Sequence, residues 1–308
     1  MRPPNSHSRL VLLALFVVFL WATSWVLIKI GLADIPALTF AGLRYTLAFL
    51  CLLPFALPRL RTASRDLSSP RILLKLVALG FLLYTITQGA IFVALSYLQA
   101  VTVNLLWSFS TVVVALLGMV ALAEHPSRFQ WVGILVALLG GIVYFGPNGS
   151  DGGRAVGIVV AAIGILANAG AVILGRDINR AGDLHPMTVT TVSMGVGSVV
   201  LLAIGVALQG IPPISPTGWA IILWLAVVNT ALAFTLWNYT LRTLSAAESS
   251  VINGTMTIWI PILAVIFLGE TIGGRELAGL AAVALGTLLV QARSPAPVRG
   301  RLRTGRRT

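Results

Sequence analysis

Polar and aromatic side chains recur at helical spacing inside long apolar stretches of this sequence. Asn104, Trp107, Ser108 and Thr111 occupy positions i, i+3, i+4 and i+7, which together form one face of a helix. Their amide, indole and hydroxyl groups can hydrogen-bond to a small molecule. Acid or base catalysis would require a titratable side chain beside them, and none is near in the sequence. The pattern therefore indicates noncovalent recognition.

A matching face follows at an offset of 146 residues. It consists of Ser250, Asn253, Gly254 and Thr257. The same offset pairs Gly133 with Gly279 and Gly140 with Gly286. Duplication of this kind in an apolar chain is typical of a transporter whose binding site lies between two repeats.

Other apolar stretches also contain candidates for the cavity. Tyr84 and Gln88 share a helix face, and the offset matches them with Thr230 and Phe234. The remaining candidates are Trp21, Ser24, Trp25, Asn168, Trp237 and Asn238. Polar side chains between membrane helices also make interhelical hydrogen bonds worth about 0.6–2 kcal/mol. Packing and cavity lining therefore both stay open for each single residue.

The elements that position these residues follow from composition. The chain has 57% hydrophobic and 10% charged residues and a mean hydropathy of +0.96, which indicates an integral membrane protein. Uncharged runs of about 20 residues predict spanning helices. There are ten: Leu10–Ile30, Pro36–Leu57, Ile72–Leu95, Ala100–Ala123, Phe129–Phe145, Ala155–Gly175, Pro186–Leu208, Trp219–Leu241, Ala246–Leu268 and Leu277–Val290. The fold class is all-α.

Basic residues orient these spans. When alternate connections are assigned to opposite sides, 17 basic residues lie on the side of both termini and only Arg154 and Arg275 on the other. Basic loops are retained in the cytoplasm, so both termini are expected there. Five spans per half then make the two repeats inverted. The predicted organisation is a cytoplasmic N-terminus (1–9), two five-helix repeats (10–147 and 152–291) and a basic cytoplasmic tail (292–308).

The net charge of +12 raises the question of partners. Because the basic residues fall in short loops and a tail, the anionic inner leaflet is the expected partner, and nucleic acid is not. Arg outnumbers Lys 19 to 2, which together with abundant Ala and Gly suggests a prokaryotic genome rich in G and C. We therefore expect a multi-pass protein of a prokaryotic inner membrane. The oligomeric state is open, with a monomer slightly preferred.

The sequence lacks the residues that several kinds of chemistry require. The nine acids all fall in loops or at helix ends, so no carboxylate stands mid-span as a proton carrier. No phosphate-binding Gly-Lys-Ser/Thr motif occurs. Cys51 is the single cysteine, and the three histidines lie in separate segments, so no metal site and no cofactor are expected. These features favour facilitated diffusion or exchange, with proton coupling through Glu248 or through a titratable group of the substrate left open.

Two basic residues fall inside spans. Lys29 ends the first span, where the helix dipole favours a cation and the side chain can reach outward, so we interpret it as an anchor. Arg44 lies about 13 Å into the second span, where an arginine is costly unless it is paired or hydrated. It has two interpretations: a structural bond to backbone carbonyls, or recognition of an anionic group.

Short motifs along the chain resemble a known family. They are Trp21-Ala-Thr-Ser-Trp-Val-Leu-Ile-Lys29, Leu43-Arg44-Tyr45, Ala94-Leu95-Ser96-Tyr97, Ala123-Glu124 and Leu268-Gly269-Glu270. In order and duplication they resemble the EamA branch of the drug/metabolite transporter superfamily, over residues 10 to 292. The resemblance implies a ten-helix inverted repeat with a cavity walled by spans one, three, four, six, eight and nine. It also implies export of small metabolites, including neutral or aromatic amino acids.

One departure from the family pattern concerns proline. Family members often have Pro where this chain has Thr111, and Thr257 fills the matching place with Pro261 one turn later.

From the sequence as a whole we expect a secondary transporter that exports small polar metabolites, most of all amino acids, by rocking around a central cavity. An importer or a flippase of another small metabolite could have the same fold, because an inverted repeat looks similar from both sides. An intramembrane enzyme is a remote alternative, since it needs acid or base groups within the spans.

Overall fold

The computed structural model describes residues 4–63, 67, 69–122, 127–146, 152–181, 184–241, 243–244 and 246–292. Within them the chain forms helices and no strand. The helices are α1 Pro4–Gly31, α2 Ala37–Thr62, α3 Pro70–Tyr97, α4 Ala100–Leu122, α5 Arg128–Phe145, α6 Gly152–Ala181, α7 Pro186–Gln209, α8 Pro216–Thr240, α9 in two pieces (Ala246–Gly254 and Met256–Leu268) and α10 Gly274–Ala292. Each helix covers one predicted span, which confirms the all-α fold. The predicted basic tail falls almost entirely outside the described residues.

Nine of the described helices are long and apolar enough to cross a membrane. The tenth helix, α10, carries Arg275 and Glu276 in its first turn and packs along α5. These two helices are the shortest, at 18 and 19 residues, as the sequence predicts. Because the glycine contacts make α10 antiparallel to α5, α10 ends at the side of the bundle where α1 begins. We call the side at which α1 begins the terminal side and the opposite one the distal side.

Local sequence sets several helix ends. Ser127 and Gln130 form a capping box at the start of α5, in which each side chain bonds to the backbone N–H of the other. Ser215 accepts from the backbone N–H of Gly218 before α8, and Pro216 occupies the first helical position, where no N–H is needed. These caps satisfy backbone groups that the helix leaves free at its end.

Helices α5 and α10 meet through the paired glycines. A Cβ on Gly133 would lie 2.6 Å from the Gly286 carbonyl oxygen, and one on Gly140 would lie 2.8 Å from that of Gly279. Because Gly279 and Gly286 are the repeat partners of Gly133 and Gly140, the contact is reciprocal, as a two-fold relation between inverted halves requires. Gly279 and Gly286 therefore pack against a neighbouring helix of the same chain.

The second helices of the two halves, α2 and α7, pair in a similar way. Gly42 lies against the backbone of Leu202, and Gly205 lies against the backbone of Leu38 and Thr39. Contacts run in opposite directions along the two helices, so they are antiparallel. Small residues allow such close approach of helix backbones in a membrane. These two helix pairs join the halves on either side of the central helices.

Helices α3 and α8 each contain a π-helical segment, at Phe81–Thr87 and Val227–Leu232. The segments start at the repeat offset of 146 residues. In each, a threonine hydroxyl donates to the carbonyl five residues earlier: Thr87 to Leu82 at 2.7 Å and Thr230 to Leu225 at 2.8 Å. Single π turns inside α-helices often occur at functional sites. Here they lie where α3 packs on α6 and α7, and where α8 packs on α1 and α2.

The main hydrophobic core extends to the distal side. Its fully buried members there include Ile35, Phe40, Phe92 and Leu95, at the distal ends of α1, α2 and α3. The rings of Phe40 and Phe92 pack edge to face with their centroids 5.1 Å apart. This core joins helices of both halves.

Candidate functional site

Aromatic side chains from the two repeats pack against each other between α1 and α8. The Trp21 ring of α1 lies 5.4 Å from that of Phe234 and 5.2 Å from that of Trp237, both on α8. All three are half-buried. Trp25, one turn beyond Trp21, belongs to the buried core. Half-buried rings of this kind offer apolar surface together with indole N–H donors.

The polar faces predicted on α4 and α9 come together. Asn104 donates from Nδ2 to the backbone carbonyl of Thr257 at 3.3 Å. That carbonyl is available because Pro261, four residues later, has no N–H to complete the helix hydrogen bond. Ser108 donates to the Asn104 carbonyl at 3.0 Å, and Trp107 is half-buried on the same face. The amide of Asn104 thus joins the two repeats.

The helix break in α9 lies elsewhere than at its proline. The helix is interrupted at Thr255, six residues before Pro261, which itself lies inside a continuous helix. Thr255 donates from its hydroxyl to the Ile252 carbonyl at 2.7 Å. This donation satisfies a backbone group beside the break. A helix break at Thr255 and a missing backbone hydrogen bond at Pro261 therefore both lie in α9 next to the polar face.

Two further candidates contact other helices. Asn168 of α6 donates to the hydroxyl of Ser110 at 2.8 Å, and Gln291 of α10 donates to that of Thr111 at 3.3 Å. Ser110 and Gln291 were not predicted. Ser110 lies off the repeated polar face, and its repeat partner is the apolar Met256.

A polar group on α2 and α3 borders the centre of the bundle. Tyr84 is buried and packs its ring against that of Tyr45, with centroids 5.7 Å apart. The Tyr45 hydroxyl donates to Gln88 Oε1 at 2.7 Å. Arg44, on the same helix as Tyr45, donates from Nε to the Thr230 hydroxyl at 3.2 Å. The hydrogen bond of Arg44 is thus to a side chain of α8 rather than to a backbone carbonyl.

Sequence reasoning missed Asn229, the most connected polar side chain of the centre. It is fully buried in α8, and its Nδ2 lies within hydrogen-bonding distance of the Leu20 carbonyl and, at 3.0 Å each, of the Thr23 and Ser24 hydroxyls. This amide holds α1 against the π-helical part of α8. The repeat offset could not reveal it, because its partner in the first repeat is Leu83. The one feature of the sequence that could have pointed to Asn229 is its polar amide inside an apolar span.

Exposure of the candidates increases toward the terminal side. Asn238 near the end of α8 and Asn253 on α9 are exposed, and Phe234, Trp237 and Thr257 are half-buried. The side chain of Ser250 lies outside the described part of the chain. Asn104 and Ser24, deeper in the bundle, are 4% exposed.

Lys29 joins α1 to α3 at the distal side. Its Nζ donates to the carbonyls of Leu95 at 2.6 Å and Leu98 at 2.7 Å, at the C-terminal end of α3. A cation is favourable there because it meets unsatisfied carbonyls and the negative end of the helix dipole. Lys29 therefore anchors α1 to a neighbouring helix rather than reaching outward alone.

Glu270 links the second repeat to the first at the same side. Its two carboxylate oxygens accept from the backbone N–H groups of Ala100 at 2.6 Å and Val101 at 3.0 Å, which start α4. Gly269 ends α9 in the left-handed conformation with φ 65°, which turns Glu270 toward α4. We call this contact the cross-repeat cap. The equivalent Glu124 of the first repeat lies outside the described residues.

The described side chains of this site offer noncovalent contacts. Among the described residues no three His, Cys, Asp or Glu side chains form a group that could hold a metal ion. Cys51 is half-buried in α2. What the centre offers is amides, hydroxyls, aromatic rings and one guanidinium.

A ten-helix inverted repeat with such side chains between its halves defines a multi-pass membrane transporter. The chain belongs to the EamA-like transporter family, which matches residues 8–146 and 155–292. The family resemblance of the sequence motifs is thereby confirmed. Because this is a family of transporters, the expectation that the protein is not an enzyme is also confirmed.

Curated relatives agree with this assignment. An uncharacterized inner membrane transporter of Escherichia coli, YedA, is 26% identical over 90% of this chain and 87% of its own length. An uncharacterized transporter of Bacillus subtilis is 27% identical over 94% and 93%. A protein of Salmonella typhimurium named a probable amino-acid metabolite efflux pump is 27% identical over 89% and 92%. A crystal structure of another protein aligns with a TM-score of 0.61 at 17% identity, covering 92% of this chain and 96% of that one, and it shows the fold alone.

Proposed function

We propose that this protein exports small polar metabolites, above all amino acids, from the cytoplasm of a prokaryote across its inner membrane. The observation that carries the proposal is the meeting of polar and aromatic side chains from both repeats between α1, α4, α8 and α9. Trp21 packs on Phe234 and Trp237, and Asn104 bonds to α9. A site between inverted repeats is where rocking of the halves exposes a ligand to each side in turn.

Two further observations support the proposal. At the distal side Lys29 and the cross-repeat cap join neighbouring helices, as a closed end requires, whereas Asn238 and Asn253, which lie nearer the terminal side, are exposed. This asymmetry is what one end state of alternating access requires. One relative is named for efflux of amino-acid metabolites, and another is named an inner membrane transporter. The distribution of basic residues supports a cytoplasmic location of the terminal side.

The test is counterflow of radiolabelled amino acids into liposomes that contain the purified protein. We expect uptake of some amino acids that does not depend on an imposed pH gradient, because the sequence has no mid-span carboxylate. Accumulation driven by the gradient would contradict the coupling but not the substrate. Absence of counterflow for every amino acid tested would refute the proposed substrate class.

Trp107→Ala and Asn253→Ala test the location of the site. Both side chains lie on the predicted cavity faces, half-buried and exposed respectively. We expect transport to fall about tenfold or more in each, in line with loss of about 1.4 kcal/mol of ligand contact. Trp131→Ala, an exposed residue near the start of α5, is the control. Wild-type transport by both site variants, with folded protein present, would contradict the site.

A further inference from the structure

Arg44 is a buried cation, and no carboxylate of the described residues pairs with it. It is 5% exposed in α2, about 11 Å from the start of the helix at 1.5 Å per residue. Its guanidinium lies 5.0 Å from the ring centre of Tyr45 and 6.0 Å from that of Phe92. The ion pairs of the described residues are His7 with Glu248 and Lys75 with Asp177, so no described carboxylate neutralises Arg44.

The fold itself does not demand an arginine at this position. The repeat partner of Arg44 is Thr190 on α7, so the inverted half builds the equivalent helix with a small neutral residue. The first repeat therefore carries a charge that its structural counterpart lacks. A buried charge costs several kcal/mol when it is unpaired, and aromatic rings recover only a part of this. A residue needed for packing alone would not need the charge.

The surroundings of Arg44 connect it to the proposed cavity. Its hydrogen-bond partner Thr230 lies in the π-helical segment of α8, one turn before the half-buried Phe234. On the other side Tyr45 bonds to the half-buried Gln88. The guanidinium thus lies between the two π-helical segments, directly behind residues that line the centre.

The free donors of Arg44 define the chemistry of a ligand. A guanidinium has five N–H donors in a planar fork, and the one on Nε is used by Thr230. The donors on the two Nη atoms match the two oxygens of a carboxylate, which would also supply the missing counter-charge. We propose that Arg44 binds the carboxylate of the transported molecule and so restricts transport to carboxylate-bearing substrates. This inference rests on the proposed function and specifies its substrate class.

The first test compares ligands on the unmodified protein in liposomes. Competitors of counterflow are an amino acid, its primary amide and its decarboxylated amine, which share one side chain and differ at the carboxylate. We expect the amino acid to compete about 10- to 100-fold better than the other two, the range for loss of a charged hydrogen-bonded pair. Equal competition by all three would overturn the role of Arg44 without affecting the proposed transport of amino acids.

The second test compares variants. Arg44→Gln is expected to raise the concentration of amino acid needed for half-maximal counterflow about 10- to 100-fold and to leave that of the amide unchanged. Arg44→Lys keeps the charge but not the planar fork. Its half-maximal concentration for the amino acid is expected to lie between those of the parent and of Arg44→Gln. Arg176→Gln, at the terminal end of α6, is the control. Equal loss for the amino acid and the amide would indicate a structural role and overturn the inference.

Comparison of the variants distinguishes failure of this inference from failure of the proposed function. If Arg44→Gln transports amino acids like the parent while Trp107→Ala does not, the inference is wrong and the proposed function stands. If no amino acid is transported by the parent protein, both fail. Should Arg44→Gln not yield folded protein, the competition series on the unmodified protein still decides the question.

Discussion

The cross-repeat cap predicts a specific effect of Glu270→Gln on access to the distal side. Glu270 is 8% exposed and accepts from two backbone N–H groups of α4, at 2.6 and 3.0 Å. Gln keeps one acceptor, but it loses the charge and turns an NH₂ group toward the second N–H. Hydrogen bonds to a charged group contribute about 1.5–3 kcal/mol, so we expect the closed distal side to lose about 2 kcal/mol relative to the open one. This corresponds to about a 30-fold change in the ratio of the two states.

Accessibility of a single cysteine measures this ratio. Cys51 is the only cysteine, so Cys51→Ala provides a background into which Ser108→Cys places a thiol at the half-buried centre of α4. A membrane-impermeant maleimide is applied to vesicles of both orientations. Labelling from the distal side is expected to accelerate in Glu270→Gln, up to about the 30-fold change in population, because only the distal-open state exposes the thiol there.

Glu276→Gln is the matched control for this experiment. Glu276 also accepts from a backbone N–H, that of Gly273 at 2.9 Å, but this contact stays within the start of α10 and joins no other helix. We expect its labelling rate to equal that of the parent. If Glu270→Gln labelled no faster than Glu276→Gln, the cross-repeat cap would not control distal access, and the reasoning would be refuted.

Two further predictions concern helix packing. Gly140→Ala is expected to destabilise the folded protein by about 1–3 kcal/mol, because its Cβ would lie 2.7 Å from the Val283 backbone nitrogen. Gly274→Ala is the control, since its Cβ would lie in open space and should leave stability unchanged. Unfolding in mixed detergent measures both variants, and equal stabilities would contradict the close α5–α10 contact. Pro261→Ala supplies an N–H that can donate to the Thr257 carbonyl in place of Asn104. Asn104→Ala should therefore lower the free energy of unfolding by about 1 kcal/mol in the parent and by clearly less when Pro261→Ala is also present. If the effects of the two substitutions simply added in the double variant, the Asn104 bond would not depend on the missing N–H.

Most of the fold followed from the sequence because the bilayer leaves few options. A run of about 20 apolar residues must form a helix to satisfy its backbone, so the ten spans could be located from hydropathy alone. The offset that pairs Gly133 with Gly279 also predicted the duplication. The π-helical segments could not be predicted, because their residues, such as Phe81 to Thr87, have no composition that distinguishes a π turn from an α turn.

The repeat made one part of the candidate site predictable, and isolated polar and aromatic residues inside apolar spans, such as Trp21 and Trp237, gave another part. Asn104 and Thr257 were selected because their faces match at the offset, and the structure brings them into contact. Asn229 and Ser110 were missed because their partners, Leu83 and Met256, are apolar. The contacts of Lys29 with the carbonyls at the end of α3 depend on tertiary packing and leave no local sequence pattern.

These differences between the halves divide the chain into two kinds of residue. Residues that repeat, such as the glycines of α5 and α10 and the π-helical segments, shape backbone contacts that must work from both sides of the membrane. Charged and amide residues that do not repeat include Arg44 opposite Thr190 and Asn229 opposite Leu83. A ligand has no two-fold symmetry of its own, so a site that recognises it at a symmetric interface must break the symmetry. The unmatched polar residues of the centre are therefore where specificity should be sought, and Arg44 is the one among them that carries a charge.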